Sequence, residues 1–186
     1  MDTDIAMLVR DIASRGGAGI LGLFIVLSTV VSLMRTVVIP RTLRSTISDV
    51  VEAGVVGLLI RLSMLRRTYR GRDGVLAWAG PTTLIMQLIV WLVLFLLGFG
   101  LLIYAVSGQG LGDSFRQSGS SLFTLGFASV DKANQTVIDF IAAATGPIVV
   151  ALMIGFLPAI YSSYVDREIL VTRLTPLGGE PAWGPE

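Results

Sequence analysis

A short polar stretch, residues 112–129, reads GDSFRQSGSSLFTLGFAS and lies between two long apolar runs. Its first part predicts a helix capped by Asp113 or Ser114 and running toward Phe123. Such a helix is too short to cross a hydrocarbon core about 30 Å thick. Its C-terminal end carries the negative end of the helix macrodipole, which suits a cation in a dry cavity. Irregular backbone at membrane depth must be buried in protein or line a watery cavity, so the residues after this helix are expected to do one or the other.

The end of this stretch resembles the selectivity filter of the potassium-channel pore-domain superfamily, whose signature reads Thr-Val-Gly-Tyr-Gly. The corresponding residues here are Thr124, Leu125, Gly126, Phe127 and Ala128. The first and third match, the second and fourth are conservative replacements, and Ala128 replaces the second glycine. The resemblance covers residues 82–165, in the order span, short polar helix, filter and span. The chain is also similar to bacterial potassium-channel-like membrane proteins with an Arg-rich connector and a Leu-Phe-Thr-Leu-Gly-Phe run.

The resemblance implies a function for these residues. In the superfamily the segment dips into the membrane between two helices, and its backbone carbonyls replace the water shell of the ion. It implies potassium or another monovalent cation as the permeant ion at the carbonyls of residues 124–128. It implies no cofactor and no other metal. It also implies a homotetramer, because each subunit supplies one strand of the filter.

The third apolar run contains residues at which a helix can bend. Gly146 and Gly155 are both candidates for the hinge glycine that the superfamily carries in its inner helix. Pro158 is a candidate kink near an inner gate.

The composition excludes several classes of protein. Of the 186 residues, 53% are hydrophobic, and the formal net charge is +1, so there is no electrostatic footprint for nucleic-acid binding. The chain has no Cys and no His, which removes disulfides, thiol nucleophiles, Ser-His dyads and the usual zinc sites. An intramembrane enzyme needs a nucleophile or an ionisable pair within its spans. We identify no such pair and predict that the protein is not an enzyme.

Three apolar runs are long enough to be membrane spans, at residues 16–39, 82–106 and 137–161. The first run is predicted to be a retained span, because the acidic N-terminus lacks the basic region of a signal peptide. Residues 2–15 are either a short amphipathic surface helix or a solvated lead-in. Arg35, near the end of the first span, is expected to extend its side chain to the headgroups. The alternative is a voltage-sensing charge, for which one isolated arginine is weak evidence.

The connector between the first two spans, residues 41–80, is rich in arginine. Its apolar part, residues 50–60, is too short to span, and predicts an interfacial or protein-packed helix on the inner leaflet. We favour an anchor over a gating or lipid-sensing element. Four arginines are predicted to meet anionic headgroups: Arg66, Arg67, Arg70 and Arg72.

Positive charge in a short connector marks the cytoplasmic side of a membrane. This places the N-terminus outside the cell, the polar stretch at the outer face and the C-terminus in the cytoplasm, in a plasma-membrane protein. The predicted fold is all-α: three transmembrane helices, a re-entrant pore helix with its filter loop, and a connector helix, assembled as a homotetramer.

We expect four segments along the chain. Residues 1–40 carry the first span, residues 41–80 the connector and residues 81–165 the pore domain. Residues 166–186 form a cytoplasmic tail, which we expect to end before a further domain.

The leading functional hypothesis is a tetrameric cation channel that passes potassium or is weakly selective. The alternative is a non-conducting membrane sensor or scaffold that uses a channel-like fold. Weak selectivity is expected because glycine reaches positive φ without steric cost, whereas an L-residue resists it. Ala128 must therefore carry that strain or turn its peptide away, and either outcome disturbs the outermost ring of carbonyls.

Overall fold

The computed structural model of this chain describes residues 2–38, 46–64, 78–128 and 133–178. Over these ranges the chain is helical except for short turns and loops, and contains no strand. The helices are α1 Asp2–Leu33, continued by a π-helix Met34–Val38, α2 Thr46–Met64, α3 Ala79–Ser107, α4 Leu111–Leu122 and α5 Ala133–Gly178.

Three of the described helical segments are long and apolar enough to cross a membrane: Asp11–Val37, Ala79–Ser107 and Asn134–Phe156. They overlap the three runs predicted from hydropathy, so the all-helical class and the three candidate spans are confirmed. The length and composition of these helices indicate a membrane protein.

The N-terminal residues do not form a separate helix. Residues 2–15 continue into the first span as one helix, α1. Arg15 ties this part of α1 to the end of α3, because its guanidinium donates to the carbonyls of Tyr104 at 3.2 Å and Gly108 at 3.5 Å. The same group lies 4.9 Å from the centre of the Tyr104 ring. A cation at the last carbonyls of a helix offsets the negative end of its macrodipole.

Helices α1 and α3 approach closely at a pair of glycines. A β-carbon on Gly22 would lie 2.7 Å from the carbonyl oxygen of Gly98, and one on Gly98 would lie 2.6 Å from Val26 Cγ2. No larger residue fits at either position without a shift of the backbone or of a neighbour. Small residues allow such contacts between membrane helices, where packing rather than water exclusion drives association.

Helix α3 has a buried face of large aromatic side chains. Trp91 is fully buried, and its indole N–H donates to the hydroxyl of Ser32 on α1 at 3.2 Å. Phe95 and Phe99 are buried one and two turns further along and stack with their ring centres 6.0 Å apart. Helix α3 is therefore the element against which α1 is fixed.

Helix α2 packs on the beginning of α3. Val51, Val55 and Leu59 recur every four residues on one face of α2, and all three are buried. They pack with Ala79 and Val90 of α3. The apolar part of the connector is therefore packed on protein along this face.

The chain divides into two compact units, residues 1–150 and 151–186. The first unit contains α1 to α4 and the first part of α5. In the second unit, α5 continues as helix to Gly178.

Candidate functional site

Three residues separate the end of α3 at Ser107 from the beginning of α4 at Leu111. Gly108 closes α3 with a left-handed backbone, φ 76°, and Gly110 occupies the N-cap position of α4. The predicted cap at Asp113 or Ser114 is wrong, because the helix already begins at Leu111 and Gly110 makes no side-chain cap bond. The Ser114 hydroxyl instead donates back to the Gly110 carbonyl at 2.9 Å. The turn needs no further residues because the left-handed glycine reverses the chain at once.

Two neighbouring contacts, one polar and one apolar, fix α4 to α3. Ser118 is fully buried, and its hydroxyl donates to the carbonyl of Leu96 at 2.9 Å. One turn earlier the ring of Phe115 lies so close to Gly100 that a β-carbon there would overlap it. The helix is short and polar, yet its buried hydroxyls are satisfied by hydrogen bonds, which keeps the cost of burying them low.

A carboxylate on α5 holds α4 from the other side. The side-chain amide of Gln117 donates to Asp139 Oδ2 at 2.7 Å, and the hydroxyl of Ser121 donates to Asp139 Oδ1 at 2.7 Å. Gln117 is 3% exposed and Asp139 is half-buried. Both carboxylate oxygens are thus engaged by residues in the last two turns of α4.

Sequence reasoning missed Asp139, although a signal was present. It lies inside the candidate span Asn134–Phe156, and an ionisable residue within a span marks a functional position by default. Its two partners are neutral, so the structure still brings no ionisable pair together there.

The backbone after α4 turns through two left-handed residues. Thr124 has φ 53° and Gly126 has φ 72°, while Leu125, Phe127 and Ala128 stay outside the positive-φ region. Left-handed backbone is ordinary for glycine but is an outlier for a β-branched residue such as threonine. Of the two outcomes expected at Ala128, strain is not observed there; the strained residue is Thr124, whose hydroxyl donates to the carbonyl of Phe123 at 2.8 Å.

Ser120 holds the start and the end of this turn. Its carbonyl accepts the amide of Leu125 at 2.8 Å, and its hydroxyl accepts the amide of Ala128 at 3.1 Å. The Thr124 amide donates to the Ser121 carbonyl at 3.0 Å. Three of the five amides of residues 124–128 therefore bond back to α4, and those of Gly126 and Phe127 make no bond among the described residues.

The carbonyls of residues 124–128, by contrast, accept no hydrogen bond from any described residue. These residues, which we call the carbonyl loop, follow directly from the negative end of α4. Backbone acceptors that are left open at a helix C-terminus are suited to a cation.

Three large apolar side chains on the turn are exposed. Phe123, Leu125 and Phe127 have 48%, 61% and 53% of their surface accessible. Apolar side chains of this size, exposed at every second position, need to be covered by lipid or by another protein surface.

A cleft of about 350 Å³ lies beside the carbonyl loop. Arg116 and Asp113 line it from α4, and Phe127 and Ala128 from the loop. The Arg116 guanidinium carbon lies 5.4 Å from the centre of the Phe127 ring, a cation–π contact that orients the ring.

The three predicted bending residues lie on one continuous helix. Helix α5 runs through Gly146, Gly155 and Pro158 without interruption. At Gly146 the helix passes so close to α4 that a β-carbon would overlap the carbonyl oxygen of Leu122, so this glycine makes a helix contact. A β-carbon on Gly155 would meet no atom within 4 Å, and Pro158 is exposed. Bending at any of the three stays a prediction.

Arg66, Arg67, Arg70 and Arg72 lie outside the described residues, and their contact with anionic headgroups stays a prediction. Comparison with known protein-family models, curated proteins and solved structures finds no match for this chain. The inference of function therefore depends on the geometry of α4, the carbonyl loop and α5.

Proposed function

We propose that this chain is one subunit of a tetrameric cation channel of the potassium-channel pore-domain type. In this proposal α4 is the pore helix, the carbonyl loop is the filter, and α3 and α5 are the outer and inner helices of the pore. Residues 124–128 bind the permeant ion, which is potassium or another monovalent cation.

The observation that carries the proposal is the direction of the hydrogen bonds around the carbonyl loop. The amides of Thr124, Leu125 and Ala128 are used internally, whereas the carbonyls of residues 124–128 accept no bond from the described residues. Two of these bonds, from Thr124 to Ser121 and from Leu125 to Ser120, form the Schellman motif that ends many helices. The open carbonyls are the part of the arrangement that the replacement of a cation's hydration shell requires.

The alternation of backbone handedness supports the same function. Positive φ occurs at Thr124 and Gly126 and not at the residues beside them. In the superfamily that the sequence resembles, the backbone angles of the filter turn alternate carbonyls toward one axis. The strain at Thr124, of about 1–2 kcal/mol, is acceptable where the surroundings hold the conformation.

The fixation of α4 also supports it. Selectivity by backbone carbonyls requires that their positions be held. Asp139 on α5, Leu96 on α3 and Ser120 within α4 each anchor the helix or its loop through a hydrogen bond of 3.1 Å or shorter. The negative end of the α4 macrodipole is then aimed at the loop.

Assembly as a tetramer gives the exposed apolar side chains a cover. One chain supplies one strand of carbonyls, and four strands around an axis complete the coordination of an ion. In such an assembly Phe123, Leu125 and Phe127 meet neighbouring subunits. We place the protein in the plasma membrane with the carbonyl loop at the outer face, because the Arg-rich connector favours the cytoplasmic side.

Ion flux from proteoliposomes tests the proposal. The native protein should release potassium down its gradient into a sodium-free buffer. Gly126→Ala should abolish or strongly reduce this flux, because alanine resists the φ of 72° that the loop requires. Gly112→Ala is the matched control, since Gly112 lies in the first turn of α4 and a β-carbon there meets no atom within 4 Å.

The control variant should conduct as the native protein does. Absence of flux from the native protein, under any ionic gradient or membrane potential, would favour the non-conducting sensor or scaffold. Equal flux from the Gly126→Ala and native proteins would show that ions do not pass through the carbonyl loop.

A further inference from the structure

A groove of about 320 Å³ lies where α1, the π-helix and the beginning of α2 meet. It is formed by side chains from the end of the first candidate span and from the first turn of α2. It does not include any residue of α4, the carbonyl loop or α5. The proposed channel function leaves it unused.

One wall of the groove is apolar and exposed. Phe24, Leu27 and Val31 lie on one face of α1, at intervals of three and four residues, and have 68%, 55% and 46% of their surface accessible. All three belong to the candidate span Asp11–Val37. Ser28 interrupts this face with a small side chain, which leaves a gap between the larger apolar groups.

The groove ends at a cation. Arg35 lies in the π-helix Met34–Val38, two residues before the end of the candidate span, and lines the groove. Among the described residues it has neither an ion-pair nor a hydrogen-bond partner. π-helical turns are rare and occur frequently at functional sites.

The first turn of α2 also favours an anion at this end of the groove. Thr46 and Ile47 of α2 line the groove, and the first turn of a helix carries the positive end of its macrodipole. Asp49, the acid in the first turn of α2, does not line the groove.

Two hydrogen bonds fix the walls. The hydroxyls of Thr36 in the π-helix and Ser48 in α2 lie 2.7 Å apart and bond to each other. On the α1 side, Ser32 lines the groove and accepts the Trp91 indole N–H at 3.2 Å. The groove is therefore built from parts that α2 and α3 hold in place.

We propose that this groove binds one anionic phospholipid. An acyl chain lies along Phe24, Leu27 and Val31, and the phosphate lies against Arg35 at the end of the span. The occupant follows from the combination of an apolar wall within a membrane span and, at its end, a cation without a partner among the described residues, which matches the two parts of a phospholipid. The site does not depend on the proposed channel function.

Native mass spectrometry of the full chain in detergent tests this proposal. The probes are phosphatidylglycerol and phosphatidylcholine with the same acyl chains, added in increasing amounts. The native protein should retain phosphatidylglycerol in preference to phosphatidylcholine. Arg35→Gln should weaken phosphatidylglycerol binding about five-fold, the effect of one cation at a membrane surface. Arg35→Lys should retain most of the binding.

Two further variants distinguish the contribution of the apolar groove to lipid binding from that of the Arg35 charge. Arg61→Gln is the matched control, because Arg61 is an exposed arginine in the last turn of α2 and lies outside the groove. It should bind phosphatidylglycerol as the native protein does. Ser28→Phe fills the gap in the apolar wall and should reduce binding while the charge is unchanged.

Three results would overturn the proposal. The first is an equal loss of binding in the Arg35→Gln and Arg61→Gln proteins. The second is equal retention of the two lipids by the native protein. The third is displacement of phosphatidylglycerol by soluble glycerol phosphate at similar concentration, which would show an anion site that makes no use of the apolar wall. Circular dichroism identifies a variant that has not folded, and Arg35→Lys against Arg35→Gln then decides alone.

Discussion

The carboxylate of Asp139 accepts a hydrogen bond from the hydroxyl of Ser121, with 2.7 Å between the two oxygens. Helix α5 therefore holds the last turn of α4. The second carboxylate oxygen accepts the amide of Gln117, also at 2.7 Å. The carbonyl loop begins three residues after Ser121. A change at Asp139 should therefore act on the loop through α4.

Asp139→Ala should lower the stability of the protein in detergent by about 1–3 kcal/mol, because it leaves a buried donor of Gln117 without an acceptor. Asp139→Asn should lose less, since an amide oxygen still accepts one bond. The thermal midpoint followed by circular dichroism measures both. Asp113→Ala, an exposed acid on the first turn of α4, is the control and should change stability by less than about 0.5 kcal/mol. If the Asp139→Ala and Asp113→Ala proteins have the same thermal midpoint, the Asp139 carboxylate does not hold α4.

Two glycines of α5 should respond in opposite directions to the same substitution. Gly146→Ala places a β-carbon against the Leu122 carbonyl oxygen and should destabilise by about 1–3 kcal/mol as α4 and α5 move apart. Gly155→Ala meets open space and should stabilise the helix by up to about 1 kcal/mol. Thermal melts of the two proteins under the same conditions provide the comparison. An unchanged midpoint for Gly146→Ala would contradict the close contact.

Gly155→Ala also tests bending. If the helix bends at Gly155, alanine should change the open probability of single channels in planar bilayers and leave the permeability ratio unchanged. A changed permeability ratio with an unchanged open probability would show that this part of α5 is not a gating hinge.

Ser120→Ala should loosen the carbonyl loop. The substitution removes the acceptor of the Ala128 amide but leaves the Ser120 carbonyl, and should cost about 1 kcal/mol. Hydrogen exchange by mass spectrometry should show faster exchange in a peptide that covers residues 123–128. Ser118→Ala is the control, because that hydroxyl bonds to Leu96 and not to the loop. Equal exchange of the loop in both variants would mean that the Ser120 hydroxyl does not hold it.

The spans could be predicted because hydropathy is a local property of the chain. All three candidate spans overlap the predicted runs, although α5 begins at Ala133 rather than at residue 137. The short helix was also predicted, with an error at its start that came from reading Asp113 or Ser114 as the cap. The helix begins earlier, at Leu111, with Gly110 at its N-cap position.

The partners of the site could not be predicted in the same way. The contact of Gly22 with Gly98, and that of Gly146 with Leu122, depend on which helices meet and at what depth. Residues 124–128 were found from their local pattern, whereas Ser120 and Asp139 act on them through tertiary hydrogen bonds. The left-handed residue is Thr124 rather than Ala128, because the chain leaves α4 through bonds from the Thr124 and Leu125 amides to its last turn.

The selectivity prediction follows from Ala128. Its backbone is outside the positive-φ region, so the outermost carbonyl of the loop lacks the left-handed turn that a second glycine allows. The native protein should discriminate weakly between potassium and sodium, and Ala128→Gly should raise the permeability ratio. Bi-ionic reversal potentials in planar bilayers measure both. Strong potassium selectivity of the native protein would show that the outer carbonyl is in place or is not needed.

The central claim is that four copies of this chain surround one axis and present residues 124–128 to it. Native mass spectrometry of the protein extracted in mild detergent tests this independently of any gating stimulus. The predicted result is a principal species of four chains, which dissociates to single chains when the detergent is made harsher. A principal species of one, two, three or five chains would contradict the claim, because the carbonyl loop could not then form a four-fold cation path.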